Sequence, residues 1–242
     1  MNPFICDKKA SLAIISYKAN KKTLDMLNSL DIDYLLTKKH NSLPYQIDDH
    51  PDMMIHPINY NTLIIEKSVF NYYEILKKYD KKIIKSFREL DLKYPNDIYL
   101  NVSRVGNYYF HKENFIDENL KKELDKINLK EIFVKQGYSR CSTMVIGENT
   151  VITQDLKLHK KYTSLGLKSY LLPPGGIELP GYDTGFIGGT CGMINRRELI
   201  FYGDIDNYIH GDILKKILKE NNIGYNCPKD VKFIDRGSII AI

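Results

Sequence analysis

Residues 98–135 read IYLNVSRVGNYYFHKENFIDENLKKELDKINLKEIFVK, and the order of patterns within them decides the fold. Ile98–Val102 and Tyr108–His111 are short runs rich in apolar and aromatic residues, as paired strands are, with a turn at Arg104–Asn107 between them. The period then changes from two to 3.6: Leu120, Leu124 and Ile127 fall on one face of a helix expected near Asp117–Ile127. Glu131–Lys135 returns to strand composition, so the segment is a ββαβ unit.

The same unit recurs at a spacing of roughly 40 to 55 residues. Downstream, Thr143–Ile146, Thr150–Thr153, a helix from Leu156 to Gly166 and Ser169–Leu172 repeat it. Phe186–Ile194, Glu198–Tyr202, a helix over Gly211–Glu220 and a strand near Tyr225 repeat it again. Upstream, Asp52–His56 and Asn61–Glu66 form a hairpin followed by a long helical region between Asn71 and Leu90. The fifth unit is split across the ends: Phe233–Ile242 pairs with Ser11–Tyr17, and a helix over Lys21–Leu30 leads to Tyr34–Leu36. Joining first and last segments closes a ring and leaves fewer bare sheet edges than an open α/β sandwich, the rival arrangement.

Composition bounds what such a ring can be. With 43% hydrophobic and 27% charged residues, the chain reads as a globular α/β protein, one domain over residues 1–242. No apolar run approaches a membrane span, and Met1–Ala10 lacks the pattern of a secretory signal. Cysteines 6, 141, 191 and 227 form no CxxC pair, which points to free thiols in a reducing cytoplasm and away from structural zinc. The net charge of +5 permits an RNA partner. Clustered arginines with interleaved aromatics are lacking, however, so a small molecule is the favoured partner. Oligomeric state leaves no mark on the sequence.

Chemistry concentrates at two places. Cys141 follows Gly137-Tyr138-Ser139-Arg140 and precedes the strand Thr143–Ile146, so its thiol is expected at a strand tip. In Asp49-His50-Pro51-Asp52 a histidine suited to general acid–base work stands two residues from a carboxylate able to orient it. Cys191 competes as nucleophile, because Gly188-Gly189-Thr190 allows close backbone approach, although its flanks suit a packed strand with a buried thiol, which is the favoured account. His56 either borders the same pocket or ends its strand. His210-Gly211-Asp212, preceded by Asp204 and Asp206, reads with Asp49, His50 and Asp52 as a carboxylate–imidazole metal set or, more cheaply, as helix capping by Asp212 or a neighbour. The loop from Pro173 to Gly181 covers a central cavity or merely connects elements.

Five ββαβ units in a ring, with His-x-Asp on one hairpin and a cysteine two hairpins later, resemble the pentein β/α-propeller of the guanidino-group modifying enzymes. The chain looks like a member of an uncharacterised clostridial-type family of that fold, distantly similar to dimethylarginine dimethylaminohydrolase and arginine deiminase. In ring order those enzymes carry an acidic pair, a Glu-Gly-Gly-Asp type loop, a His-x-Asp type strand, a structural hairpin and a nucleophilic cysteine near the C-terminus. The resemblance therefore implies a circularly permuted propeller with Cys141 as nucleophile, His50 as acid–base, and Asp52 or Asp49 orienting imidazole or substrate. Asn101, Gly189, Thr190 and Asp235 become substrate-binding candidates, and no cofactor or metal is required.

The implied activity is hydrolysis or group transfer at a carbon–nitrogen bond of a small amidine-like molecule, with Cys141 carrying a lowered pKa. One departure stands out: Gly188-Gly189 occupies the place of the expected acidic pair, leaving Asp235 alone. Arginine, agmatine and methylated arginines are accordingly expected to be poor substrates. The resemblance also admits a non-catalytic pentein that binds protein or RNA, and the His/Asp clusters admit a metal-dependent hydrolase.

Overall fold

The computed structural model describes residues 2–242. In chain order the elements are β1 (Leu12–Ile15), α1 (Lys21–Ser29) and β2 (Asp33–Leu36); then α2 (Pro51–Met54), β3 (Ile55–Asn59), β4 (Thr62–Ile65) and β5 (Lys82–Lys85). Next come β6 (Ser103–Val105), β7 (Tyr108–Lys112), α3 (Glu118–Lys126) and β8 (Lys130–Val134), followed by β9 (Thr143–Gly147), β10 (Thr150–Thr153), α4 (Leu156–Ser164) and β11 (Lys168–Leu171). The series ends with β12 (Cys191–Asn195), β13 (Glu198–Phe201), α5 (Gly211–Glu220), β14 (Gly224–Asn226) and β15 (Ile240–Ala241).

These strands form five separate three-stranded sheets. In each, the middle strand runs antiparallel to its hairpin partner and parallel to the strand that follows the crossover. Middle strands are buried almost throughout, as at Leu63–Ile65, while crossover strands such as Lys82–Lys85 expose both ends and form the rim. The fifth blade is completed across the termini, with Ala241 opposite Ala13 and Ile240 opposite Ile14.

Hydrophobic clusters show how the blades pack. Leu12 and Ile14 pack with Ile55 and Leu63, joining β1 to the β3–β4 hairpin, and Ile58 and Ile64 pack with Val102 and Tyr109, joining that hairpin to the next. Val105, Val145 and Met193 share a cluster spanning three blades, and Ile200 packs with Ile15 to return to the start. Apolar burial thus runs from blade to blade around a ring, the non-directional term that stabilises it.

Helices form where the 3.6-residue pattern meets a cap. Asp117 accepts hydrogen bonds from the Asn119 and Leu120 amides at 3.0 and 3.1 Å, and Leu120 and Leu124 are buried. The long helix expected between Asn71 and Leu90 is instead a 3-10 helix over Phe70–Tyr79. It stops at Asp80, which adopts a left-handed conformation, and the apolar pair that follows joins β5 beside β4. Ile98–Asn101 is likewise not strand: Asn101 N–H bonds the Ile98 carbonyl at 2.9 Å, so the chain turns and β6 begins only at Ser103. Phe186–Ile194 begins as a 3-10 turn over Ile187–Thr190, and Phe233–Ile242 contributes only two strand residues. Among the described residues no helix is long and apolar enough to cross a membrane.

Candidate active site

Loops that precede or follow the inner strands converge on one cavity of about 160 Å³. His50, Cys141 and Asp235 line it together with Ile47, Met53, Tyr138, Leu179, Tyr182, Thr184 and Phe186. Its polar groups are few and its walls largely apolar or aromatic, the usual make-up of a small-molecule site.

Cys141 sits in a turn before β9, one step short of the expected strand tip. The turn is held by Asn101, whose side-chain oxygen accepts the Arg140 and Cys141 amides at 2.9 and 3.3 Å while its amide nitrogen lies 2.9 Å from Cys141 Sγ. The turn at Ile98–Asn101 is therefore a positioning device: it delivers one side chain that grips the thiol's own backbone. Cys141 Sγ also lies 3.2 Å from Asp52 Oδ2. Burial, reinforced by the negative charges of Asp52 and Asp235, holds the thiol well above its ordinary pKa. The direction is opposite to the lowering expected from the sequence, because burial and then the neighbouring carboxylates both disfavour the thiolate.

His50 precedes α2, which begins with Pro51 at a position where a missing N–H costs little. Its nearest carboxylate is Asp235, 3.8 Å from Nδ1, and not Asp52 as its spacing in the sequence suggested. The one-turn helix rotates Asp52 away, so that its Oδ2 accepts the Ser238 amide at 2.9 Å and the Ser238 hydroxyl at 2.6 Å. Asp52 Oδ1 and His50 Nε2 are buried without a hydrogen-bond partner. One donor atom from each of His50, Asp52 and Cys141 lies within 4.8 Å of the others.

Asp235 is buried, and burial raises its pKa. It accepts the Phe186 and Gly237 amides at 2.8 and 2.9 Å. Two glycines make this approach feasible. A side chain at Gly189 would collide with Asp235 Oδ1, and Gly237 combines a φ of +68° with contact against His50. Gly189 therefore shapes the site by leaving room for the Asp235 carboxylate.

The remaining sequence candidates are placed elsewhere. Asp49 bonds the Ser16 hydroxyl and pairs with Lys18 at 3.1 Å, outside the cavity wall. Thr190 spends its hydroxyl on the Ile187 carbonyl at 2.7 Å within the 3-10 turn. Cys191 packs into the hydrophobic cluster spanning three blades, and burial pushes its thiol up to about 12. His56 bonds the Leu100 carbonyl at 3.2 Å and meets the Phe4 ring edge-on. Asp204 caps a 3-10 turn and pairs with Lys229, while Asp206 and Asp212 pair with Lys215; Asp212 makes no capping bond to α5. These residues form no metal-ligating group among the described residues.

The sequence reading missed Ser238, Tyr138, Leu179 and Tyr182. A signal existed for one of them: Leu179 belongs to the proline- and glycine-rich loop, which does border the cavity, and Tyr182 follows it directly. Ser238 ends the polar turn Asp235-Arg236-Gly237-Ser238 between apolar segments, but nothing local indicates that its partner is Asp52, 186 residues away.

Comparison with known proteins agrees with this architecture. The inosamine-phosphate amidinotransferase of Streptomyces griseus superposes with a TM-score of 0.58 at 9% identity, covering 97% of this chain and 93% of that one. Dimethylarginine dimethylaminohydrolase from Pseudomonas aeruginosa, solved with citrulline, gives 0.54 at 10% identity over 91% and 92%. Agmatine deiminase of C. jejuni gives 0.51 at 15% identity over 90% and 74%. The fold is therefore that of the pentein superfamily, five ββαβ units. No curated protein matches the sequence. A family model matches residues 14–240, and the chain belongs to that family, the family of unknown function DUF6873.

Proposed function

We propose that this protein is a cysteine-dependent hydrolase or transferase that cleaves a carbon–nitrogen bond of a small amidine- or guanidine-bearing molecule. The observation that carries the reading is that Cys141, His50 and Asp235 line one cavity. At about 160 Å³ it is smaller than the roughly 300 Å³ at which drug-sized sites begin, which favours a small substrate.

In this reading Cys141 Sγ attacks the planar amidino carbon, and its proton passes to His50. The tetrahedral adduct collapses as His50 returns that proton to the departing amine, leaving a carbon–sulfur bond. Water, or a second amine in a transferase, then attacks with His50 as base, and the thiol is restored. Asp235 pairs with the amidinium and keeps the imidazole turned toward the sulfur. A cationic substrate offsets the two carboxylates that hold the thiol neutral, so the nucleophile forms only when substrate is present. Free thiols at Cys6, Cys141, Cys191 and Cys227 favour a reducing, cytoplasmic setting.

The test is a panel of amidines and guanidines followed by amine release and by intact mass of the trapped protein, with Cys141→Ser as blank. Product formation together with a covalent adduct on Cys141 supports the reading. Turnover that survives in Cys141→Ser, or no turnover and no adduct across the panel, overturns it.

A further inference from the structure

We propose that the rim strand β8 and the neighbouring helix α4 form a docking site for a short extended segment of an acidic partner protein, which adds as a further strand to the β6–β7–β8 sheet. The site lies away from the central cavity and shares none of its lining residues. β8 pairs with β7 alone, in parallel, and the Lys130 amide bonds the Asn107 carbonyl at 2.8 Å. Alternation along the strand turns the amides and carbonyls of Glu131 and Phe133 to the opposite edge, where no strand of the described residues meets them. An edge of this kind is a template for another strand.

Every blade ends in such a strand, so the edge alone selects nothing, and β8 is singled out by what lies beside it. Between its C-terminal end and the first turns of α4 is a hollow of about 240 Å³. Phe133, Val134 and Leu158 give it apolar surface, and Lys135, Lys157 and Lys161 surround it. Phe133 is 49% exposed, although the His111 ring braces it edge-on at 5.4 Å. An aromatic ring already held in place offers contact area at little cost in side-chain entropy. The charges then fix the sign of the partner. None of the three lysines pairs with a carboxylate among the described residues, in contrast to Lys121 and Lys126 on α3. Acids nearby are committed elsewhere: Glu131, the acid of β8, pairs with Lys121 at 2.8 Å and His111 at 3.0 Å. Asp155 accepts the Lys157 and Leu158 amides at 2.7 and 3.0 Å and the Gln136 side chain at 3.2 Å.

A free edge, an apolar hollow and a one-sided positive charge thus coincide at one place. An incoming strand matches all three: its backbone pairs with β8, an apolar side chain enters the hollow, and flanking carboxylates meet the lysines. A nucleic acid would meet the lysines but leave the edge carbonyls and the apolar floor unmatched. The site stands apart from the amidine reaction, and Cys141→Ser protein is expected to bind as the wild type does.

The experiment screens the full chain against an array of hexapeptides built from Glu, Asp, Leu and Val, and measures the best binders by fluorescence anisotropy. Affinity is expected to fall about tenfold or more when alternate peptide amides are N-methylated, which removes strand hydrogen bonds and keeps the charge. A comparable loss is expected when Lys135→Glu and Lys157→Glu are combined. As a check free of variants, hydrogen exchange at the Glu131 and Phe133 amides of the wild-type protein is expected to slow when peptide binds. Binding that ignores N-methylation reflects charge attraction alone and overturns the site. So does an array without binders, protection confined to other segments, or displacement of the peptide by oligouridylate at equal concentration. A dimer that protects the same two amides without peptide would assign the edge to a second copy of this chain, and likewise overturns the proposal.

Discussion

Cys141 and Cys191, and likewise His50 and His56, lie in the interior of this ring, and burial does not tell them apart. Cys141 and Cys191 are 2% and 3% exposed, and His50 and His56 are each 1% exposed. Each cysteine stands just before or at the start of the first strand of its blade. The difference lies in what surrounds them. Cys141 and His50 line a cavity and sit among Asp52, Asp235, Asn101 and Ser238. Cys191 packs among apolar side chains, and His56 lies beside Phe4 with the guanidinium charges of Arg104 and Arg140 nearby. A thiol and an imidazole become a candidate site through an adjoining cavity and carboxylates, and otherwise serve as core.

The largest expected contrast is kinetic. Cys141→Ala is expected to lower amidine turnover by on the order of 10⁴-fold or more, as loss of a nucleophile does. Cys191→Ala is expected to leave it within about a few-fold, since core substitutions act through stability. Measured rates showing the reverse order would move the reaction to the glycine-rich hairpin and break the comparison.

The second contrast is in acid stability. Burial, with Arg104 and Arg140, pushes the His56 pKa down to about 3 from 6.5. Between those values the unfolded chain binds the proton and the folded chain does not, so stability falls as pH drops from about 6.5 toward 3. At about 1.4 kcal/mol per pH unit, the loss from this residue reaches about 4–5 kcal/mol near pH 3. Chemical denaturation of wild-type and His56→Gln proteins across that range is expected to show a shallower slope in the variant. Equal slopes would mean that His56 is solvated or paired, and not the core residue that the comparison makes it.

Asn101 sharpens the distinction from the other side. It accepts two backbone amides of the Cys141 turn, and Asn101→Ala strands both as buried donors. At about 1–3 kcal/mol for each unsatisfied group, a loss of about 2–6 kcal/mol is expected by urea denaturation. A change below about 1 kcal/mol would show that water replaces the side chain freely and that the turn is not rigidly held.

Much of this was legible in the chain because its signals are local. The alternation of strand, turn, strand and amphipathic helix from Ile98 to Lys135 specifies a blade, and the apolar ends at Leu12–Ile15 and Ile239–Ala241 specify closure. Cys141 and His50 stood out by residue type and neighbours, whereas Asp235 entered only through the resemblance. What stayed hidden is contact between blades. Nothing in Asp49-His50-Pro51-Asp52 shows that a one-turn helix sends Asp52 to Ser238 and leaves Asp235 to the imidazole. The helix expected over 71–90 failed because Lys82–Lys85 has an apolar pair flanked by lysines, a pattern that suits a rim strand and a helix alike.

The smallest expected effect concerns the substrate's other end. The sequence suggested that arginine fails for want of acid beside Gly188-Gly189, yet the fold puts two carboxylates, Asp52 and Asp235, near the thiol. In the proposed reaction the obstacle is expected in the wall, where Ile47, Met53, Leu179 and Phe186 carry no charge to meet an α-carboxylate or ammonium. Stripping water from a neutral polar group without a partner costs about 1–3 kcal/mol, and from these charged groups more. Arginine, agmatine and methylated arginines are therefore expected to show kcat/KM at least about tenfold below that of an alkyl- or arylamidine of similar size, by the same 1.4 kcal/mol per decade. Tyr182, 51% exposed at the cavity, is the place to alter this. Tyr182→Arg supplies a partner for a carboxylate and is expected to narrow the gap for arginine but not for agmatine, which has no carboxylate. Equal narrowing for both would show that the substitution widens the cavity, and that size rather than charge sets the preference of the wall.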